Sequence, residues 1–539
     1  MRPVCIVLAT TSLCLLPLLV QAAEEKPATA SSTPGTASPG APAPGTPPAA
    51  FTPGQQSTRG SVTVGGRKLD YEAVTGTIVV HAKGWDDVPA NAEPDAKVGP
   101  PEASMFYAAY FLQGEHKGPR PVTFLFNGGP GSPTVWLHIG AFGPKRVVVP
   151  DAALPGGAPY TITNNDYSLL DASDLVFIDA PGTGFSRIAG KDREKAFYGV
   201  DQDAWAFSEF IRQWLSRHGR WNSPKYLFGE SYGTTRAAVL ANLLASGPQV
   251  QLNGVVMLSQ ILMFDGSPDG PDANPGVNLP YVLSLPGFAA SAWYHHRVPG
   301  PVRELQPLLA EVEQFATHDY AQALMEGNAL EPARAQAIAQ KLHEYTGLPV
   351  DYLLRARLRV SGGMFEQQVL GEEGRTAGRL DMRYAGPSLD PLAKEAQHDP
   401  MFVIAPAYIA AFNDYARSEL KIAPERDFKP LQNIPWDFQH PAGPPGSQTS
   451  GTNVINDLAS ALKSNPGLKV QVNGGYYDLG TPFYQAIYEM GQLPVPNALR
   501  DNVEFHFYES GHMVYLHEPS LKALHDNVAD FIRRTSTTH

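Results

Sequence analysis

Four short stretches of this chain are apolar on both faces of a strand, and each stops abruptly at a turn sequence. Val122-Thr-Phe-Leu-Phe126 runs into Asn127-Gly-Gly129, and Leu175-Val-Phe-Ile178 into Asp179-Ala-Pro-Gly182. Tyr226-Leu-Phe228 meets Gly229, and Val255-Val-Met-Leu258 meets Ser259. A strand that faces water on one side alternates polar and apolar residues; one without that alternation must be covered on both sides, as in a parallel sheet flanked by helices. The stretch 201–217 supplies such a helix, with Phe207, Phe210, Ile211, Trp214 and Leu215 at helical spacing. Strand–helix alternation of this kind predicts an open α/β sheet.

The alternation stops after about Leu262. Residues 263–440 read as Gly/Pro-rich loops followed by helical segments, such as 302–345 and 405–420. It then resumes with a helix (454–463), a strand (469–472), a second strand (503–507) and a final helix (520–534) that carries Leu521, Leu524, Val528, Phe531 and Ile532 on one face. The economical organisation is one sheet domain over 60–539, interrupted by a mostly helical, cap-like insertion at about 263–440. With 539 residues, 43% of them hydrophobic, the chain has ample material for such a core.

The N-terminal stretch speaks to compartment. Met1-Arg2, an apolar run from Val4 to Val20 and Val20-Gln-Ala22 predict a signal peptide over 1–22, with an uncleaved anchor as the alternative reading. Residues 23–59, dense in Pro, Ala, Ser, Thr and Gly, predict a disordered leader. Both cysteines, Cys5 and Cys14, lie in the signal, so the processed chain is expected to have neither disulfides nor thiolate chemistry. A periplasmic or secreted protein without stable membrane insertion is the expectation. The formal net charge of −12 gives no basic footprint for nucleic acid.

Gly229-Glu-Ser-Tyr-Gly233 is a G-x-S-x-G sequence placed between a strand and a helix, where a nucleophile elbow belongs; the bland alternative is a turn with a capping serine. The loop Asn127-Gly-Gly-Pro-Gly131 can offer backbone N–H groups to an oxyanion formed when Ser231 attacks a carbonyl, with the Tyr232 N–H as the matching donor. Asp478 and His512 each follow a late strand, in the chain order Ser…Asp…His. Asp457 lies within a helix and Asp501 before the last strand, which leaves Asp478 as the acid. The acidic loop 265–272 lacks the closing glutamate of a calcium loop and reads as solvated, and His295-His296 has no partners at ligand spacing. No metal and no cofactor is expected.

Taken together, Asn127-Gly-Gly-Pro-Gly-Ser132, Asp179-Ala-Pro-Gly-Thr-Gly-Phe-Ser186, Gly229-Glu-Ser-Tyr-Gly233 and Gly511-His-Met513 resemble the serine carboxypeptidase family, in the family's order. The resemblance runs from about Arg59 to the C-terminus and is weakest through the insertion. It implies an α/β-hydrolase fold and release of residues from peptide C-termini through an acyl-enzyme, by a Ser231–Asp478–His512 triad. It further implies oxyanion donors at Gly129 and Tyr232, and binding of the substrate's terminal carboxylate by Asn127 and Glu230. The chain departs from the family pattern at Ser132, where a cysteine is usual, and at Leu125, where a tryptophan often stands. It departs again at Ala141, where a glutamate commonly partners the carboxylate-binding one.

A peptide is therefore the expected substrate, and no reading of oligomeric state follows. A serine aminopeptidase, an esterase or an acyltransferase on the same fold remains open, as does a non-catalytic surface binding protein.

Overall fold

The computed structural model describes residues 50–85, 99–114, 118–441 and 451–536. The stretch read as a signal peptide and most of the stretch read as a leader lie outside them. Among the described residues no helix is long and apolar enough to cross a membrane.

Among the described residues ten strands form one sheet: β1 (Gln55–Val64), β2 (Arg67–His81), β3 (Glu102–Leu112), β4 (Val122–Phe126), β5 (Asp174–Ile178), β6 (Arg187–Ala189), β7 (Lys225–Glu230), β8 (Gly254–Leu258), β9 (Lys469–Gly475) and β10 (Val503–Tyr508). Their order is β1-β2-β3-β5-β4-β7-β8-β9-β10, with the short β6 beside β3. The strands from β5 to β10 in that order are parallel, and β1 to β3 form an antiparallel edge. A mostly parallel sheet with helices on both faces, Ser231 on the turn from β7 into the next helix, and Asp478 and His512 after β9 and β10 in that chain order make the α/β-hydrolase fold.

β1 begins at Gln55, inside the stretch read as leader up to residue 59. Gln55–Arg59 carries no large apolar side chain; its order comes from the backbone ladder to Gly76–Glu72 of β2, a pairing that composition does not reveal.

The predicted two-sided burial appears strand by strand. Val122, Phe124 and Phe126 of β4, Leu227 of β7, and Val255 and Met257 of β8 join one core layer; Leu125, Tyr226, Phe228, Val256 and Leu258 join the other. Helices α1 (Val200–Arg217), α2 (Tyr232–Ser246) and, later in the chain, α7 (Ile455–Ser464) cover the first face. The second is covered by α9 (Glu518–Thr535) and by α6 (Ala405–Ser418).

The stretch 263–440 therefore divides. Helices α3 (Leu279–Tyr294), α4 (Leu305–Phe315) and α5 (Pro332–Thr346), with residues up to Met382, enclose a core of their own that also takes Tyr477 and Leu479 and, from the start of α8 (Phe483–Gly491), Phe483. Helix α6, within the same stretch, belongs to the sheet's core through Ala407, Tyr408, Ala411, Phe412 and Tyr415.

Candidate active site

Ser231 sits between β7 and α2 with φ 61° and ψ −132°, a conformation a non-glycine residue holds only under about 1–3 kcal/mol of strain. The flanking glycines let the turn close. A Cβ on Gly229 would lie 2.2 Å from the Gly233 carbonyl oxygen, and one on Gly233 would lie 2.8 Å from that of Phe126. The Ser231 N–H donates to Leu258 O at 2.9 Å, tying the turn to the end of β8.

Strand register then decides which groups meet. Phe126 pairs with Gly229 across adjacent parallel strands, so Asn127 and Glu230 emerge side by side, next to the serine. The loop after β4 presses on the start of α2 so closely that a Cβ on Gly128 would lie 2.4 Å from the Tyr232 nitrogen. Gly129, at φ 106°, has no acceptor for its N–H among the described residues, and Tyr232 opens a helix whose first N–H groups lack intrahelical partners. Two donors thus stand free beside Ser231.

Asp478 and His512 follow β9 and β10 and meet at 2.8 Å, Asp478 Oδ2 to His512 Nδ1. The carboxylate is fully buried and saturated: Gly480 N–H and Thr481 N–H donate to Oδ1 at 2.8 and 3.0 Å, and Thr481 Oγ1 to Oδ2 at 2.7 Å. The His512 backbone is fixed from both sides, its N–H donating to Leu380 O at 2.6 Å and its carbonyl accepting from Ser259 Oγ at 2.6 Å. Burial penalises the charged imidazole. The Asp478 carboxylate with its hydrogen bond, and next the Glu230 carboxylate, outweigh that and lift its pKa above the ordinary histidine value. Ser231, His512, Glu230, Asn127 and Gly129 line one cavity of about 470 Å³, although no hydrogen bond joins Ser231 Oγ to His512 among the described residues.

Glu230 is buried, and burial pushes its carboxyl up to about 7, against the charge of His512 and hydrogen bonds from Tyr515 and Asn127. Tyr515 Oη donates to it, 3.2 and 3.0 Å from its two oxygens. Asn127 turns its Oδ1 the other way, accepting from Leu137 N–H at 3.1 Å, which leaves its amide N–H₂ for Glu230. Ala141 itself is an apolar, buried residue of the helical turn 137–142. A Cβ on its neighbour Gly140 would lie 2.8 Å from the Tyr515 ring, so that turn is the surface Tyr515 packs against.

Sequence reasoning missed Tyr515, and it missed the ion pair beneath the site. Arg236 on α2 is fully buried, with Nε 2.6 Å from Asp203 Oδ2 and Nη1 donating to Asn127 O at 2.7 Å. Its guanidinium also lies 4.4 Å from the Phe207 ring centroid. A signal for it existed: Asp203 shares the apolar face of Phe207 and Phe210, and Arg236 precedes the apolar run Ala237–Ala241. The acidic loop 265–272 is ion-paired through Asp269 to Arg379 and through Asp272 to Lys394, and His295 hydrogen-bonds Met382 O at 2.6 Å.

No curated protein matches the chain significantly. Among solved structures, the proline iminopeptidase of Mycobacterium smegmatis is 12% identical, over 80% of this chain and 96% of that one, at a TM-score of 0.32. The peroxisomal α/β-hydrolase Lpx1 of Saccharomyces cerevisiae is 10% identical, over 86% and 90%, at 0.33. MGS-M2, an α/β hydrolase from a Medee basin deep-sea metagenome library, is 12% identical, over 81% and 97%, at 0.31. Likenesses this distant add nothing to the strand order. The informative match is to a sequence family, and it spans the Asn127 loop and the Ser231 elbow: residues 97–278 match the serine carboxypeptidase family, and the chain is a serine hydrolase of the α/β-hydrolase fold.

Proposed function

We propose that the protein is a serine carboxypeptidase in which Ser231, His512 and Asp478 form the triad. His512 Nε2 takes the Ser231 proton as Oγ bonds to the scissile carbonyl carbon, and the resulting oxyanion is held by the N–H groups of Gly129 and Tyr232. Asp478 holds the Nδ1–H tautomer and stabilises the imidazolium. The C–N bond then breaks as His512 gives its proton to the departing amine, releasing the C-terminal residue. Water attacks the acyl-enzyme while His512 accepts its proton, and that proton returns to Ser231 Oγ as the ester bond breaks.

The observation that carries the specificity is Glu230, buried beside Ser231 with its carboxyl raised to about 7. Below that pH it holds a proton and can donate to a substrate carboxylate, alongside the Asn127 amide; above it, two carboxylates would repel. The test compares a blocked dipeptide acid with its C-terminal amide and with a free-amine substrate. The acid is expected to react at least tenfold faster than the amide near pH 5, an advantage that shrinks above pH 7. Equal rates for acid and amide would remove the carboxypeptidase reading and leave the serine hydrolase.

A further inference from the structure

The stretch 263–440 supplies part of the cavity's lining. Its segment 379–382 lies directly on the two loops that bear Asp478 and His512. Arg379 O accepts from Leu479 N–H at 3.0 Å, Leu380 O from His512 N–H at 2.6 Å, and Tyr477 O from Met382 N–H at 2.9 Å. The fit has no slack: a Cβ on Gly511 would fall 2.4 Å from Asp381 Cβ, and one on Gly480 would fall 2.7 Å from Leu380 Cδ2 and 3.2 Å from Arg379 Nη1. This strap delivers one long side chain, Arg379, to the wall of the cavity that holds Ser231.

Two arginines leave the strap, and they differ in one respect. Arg383 is buried and saturated: Nε and Nη2 donate to Asp381, Nη1 to Asp151 at 2.9 Å, and Nη2 also to Ser510 Oγ at 3.3 Å. Arg379 is half-buried and uses one edge only, donating from Nε at 2.8 Å and from Nη2 to the two oxygens of Asp269. Its Nη1 has no hydrogen-bond partner among the described residues. Asp269 thus fixes the guanidinium plane while the other edge, Nη1 with the second N–H of Nη2, stays open. A guanidinium edge held in place is a two-pronged carboxylate receptor. Beside the titratable Glu230 and His512, Arg379 is, among the described residues, the sole permanently charged side chain lining the cavity.

It is not placed as part of the terminal-carboxylate clamp. Asn127 and Glu230 emerge from β4 and β7, whereas Arg379 lies on the loops after β9 and β10. A substrate whose terminal residue is held at Asn127 and Glu230, with its carbonyl at Ser231, leaves the residue supplying that carbonyl for the opposite wall. We propose that Arg379 is a specificity residue whose open guanidinium edge binds an acidic side chain on the residue that supplies the scissile carbonyl. This deepens the carboxypeptidase reading and rests on it for the direction of the substrate.

The test measures kcat/KM on blocked dipeptide acids carrying Glu, Gln or Lys at the penultimate position, with wild type, Arg379→Gln, Arg379→Glu and Asp269→Asn. The wild type is expected to prefer Glu over Gln by tenfold or more. Arg379→Gln should abolish that preference, chiefly through KM, with a fall on the Glu substrate at least tenfold larger than any fall on the Gln substrate. Arg379→Glu should turn the preference towards Lys, and Asp269→Asn, which loosens the anchor of the guanidinium, should weaken the preference for Glu. Fluorophosphonate labelling of Ser231 shows which variants are folded. Where Arg379→Gln fails to label, Arg379→Glu decides: a labelled protein that still prefers Glu over Lys overturns the proposal. Equal rates of wild type on Glu and Gln also overturn it, as does a preference confined to the terminal residue. So does an equal fall on all substrates in Arg379→Gln. If peptide acids are not cleaved at all, p-nitrophenyl esters of blocked Glu and Gln carry the same comparison without a terminal carboxylate. That separates failure of the Arg379 proposal from failure of the clamp.

Discussion

The Tyr515 hydroxyl lies 3.0 and 3.2 Å from the two carboxylate oxygens of Glu230, so the buried acid beside the nucleophile is partnered by a phenol. A second carboxyl in that place would compete with Glu230 for a proton. A phenol instead donates, and so favours the ionised form of Glu230 against the burial that opposes it.

Tyr515→Phe removes that donor, so the Glu230 carboxyl should move further above about 7. The descending limb of kcat/KM on a peptide acid is then expected to shift to higher pH by on the order of one unit. Activity should fall about tenfold, the cost of one buried hydrogen bond. Hydrolysis of a simple ester, which has no terminal carboxylate, should change little. A pH–rate series on both substrates checks this.

Glu230→Gln should alter stability with a definite sign. The folded carboxyl is raised from 4.5 to about 7, so its contribution to stability is complete below pH 4.5 and is lost as pH rises through 7. Relative to wild type, the glutamine variant should therefore gain stability between pH 5 and pH 8, by about 3 kcal/mol at most. Urea denaturation at the two pH values measures it.

Arg236→Met is expected to cost about 3–5 kcal/mol, because Asp203 would stay buried without its partner. The Asn127 carbonyl would also lose its donor, loosening the loop that presents Gly129. Adding Asp203→Leu should recover much of the stability but not the activity. Denaturant melts and esterase rates on the single and double variants separate the two effects.

His440 follows, by a few residues, the segment Leu431, Gln432 and Asn433 that lines the cavity. Its Nδ1 lies 2.7 Å from Asp201 and its Nε2 2.8 Å from Asp457. Burial opposes the charge, but the two carboxylates outweigh it and raise the imidazole to about 9. That stabilisation is complete below pH 6.5 and lost as pH rises through 9. His440→Gln should lower the melting temperature at pH 6.5 and flatten its fall towards pH 9, as thermal melts across that range would show.

What could be read from sequence was local. The two-sided burial of β4, β5, β7 and β8, the elbow at Ser231 and the order of Asp478 and His512 each follow from a few neighbouring residues and the covalent geometry of strand and turn. The antiparallel edge β1–β3 was not legible, since Gln55–Arg59 is ordered by its ladder and not by its side chains. Tertiary structure alone decided what lies across the site. Tyr515 meets Glu230 across 285 residues, Arg236 reaches Asn127 across 109, and the strap 379–382 carries Arg379 onto the loops of Asp478 and His512. Such meetings depend on strand order and register. No residue's immediate neighbours encode those, whereas burial converts them into raised pKa values and fixed hydrogen bonds.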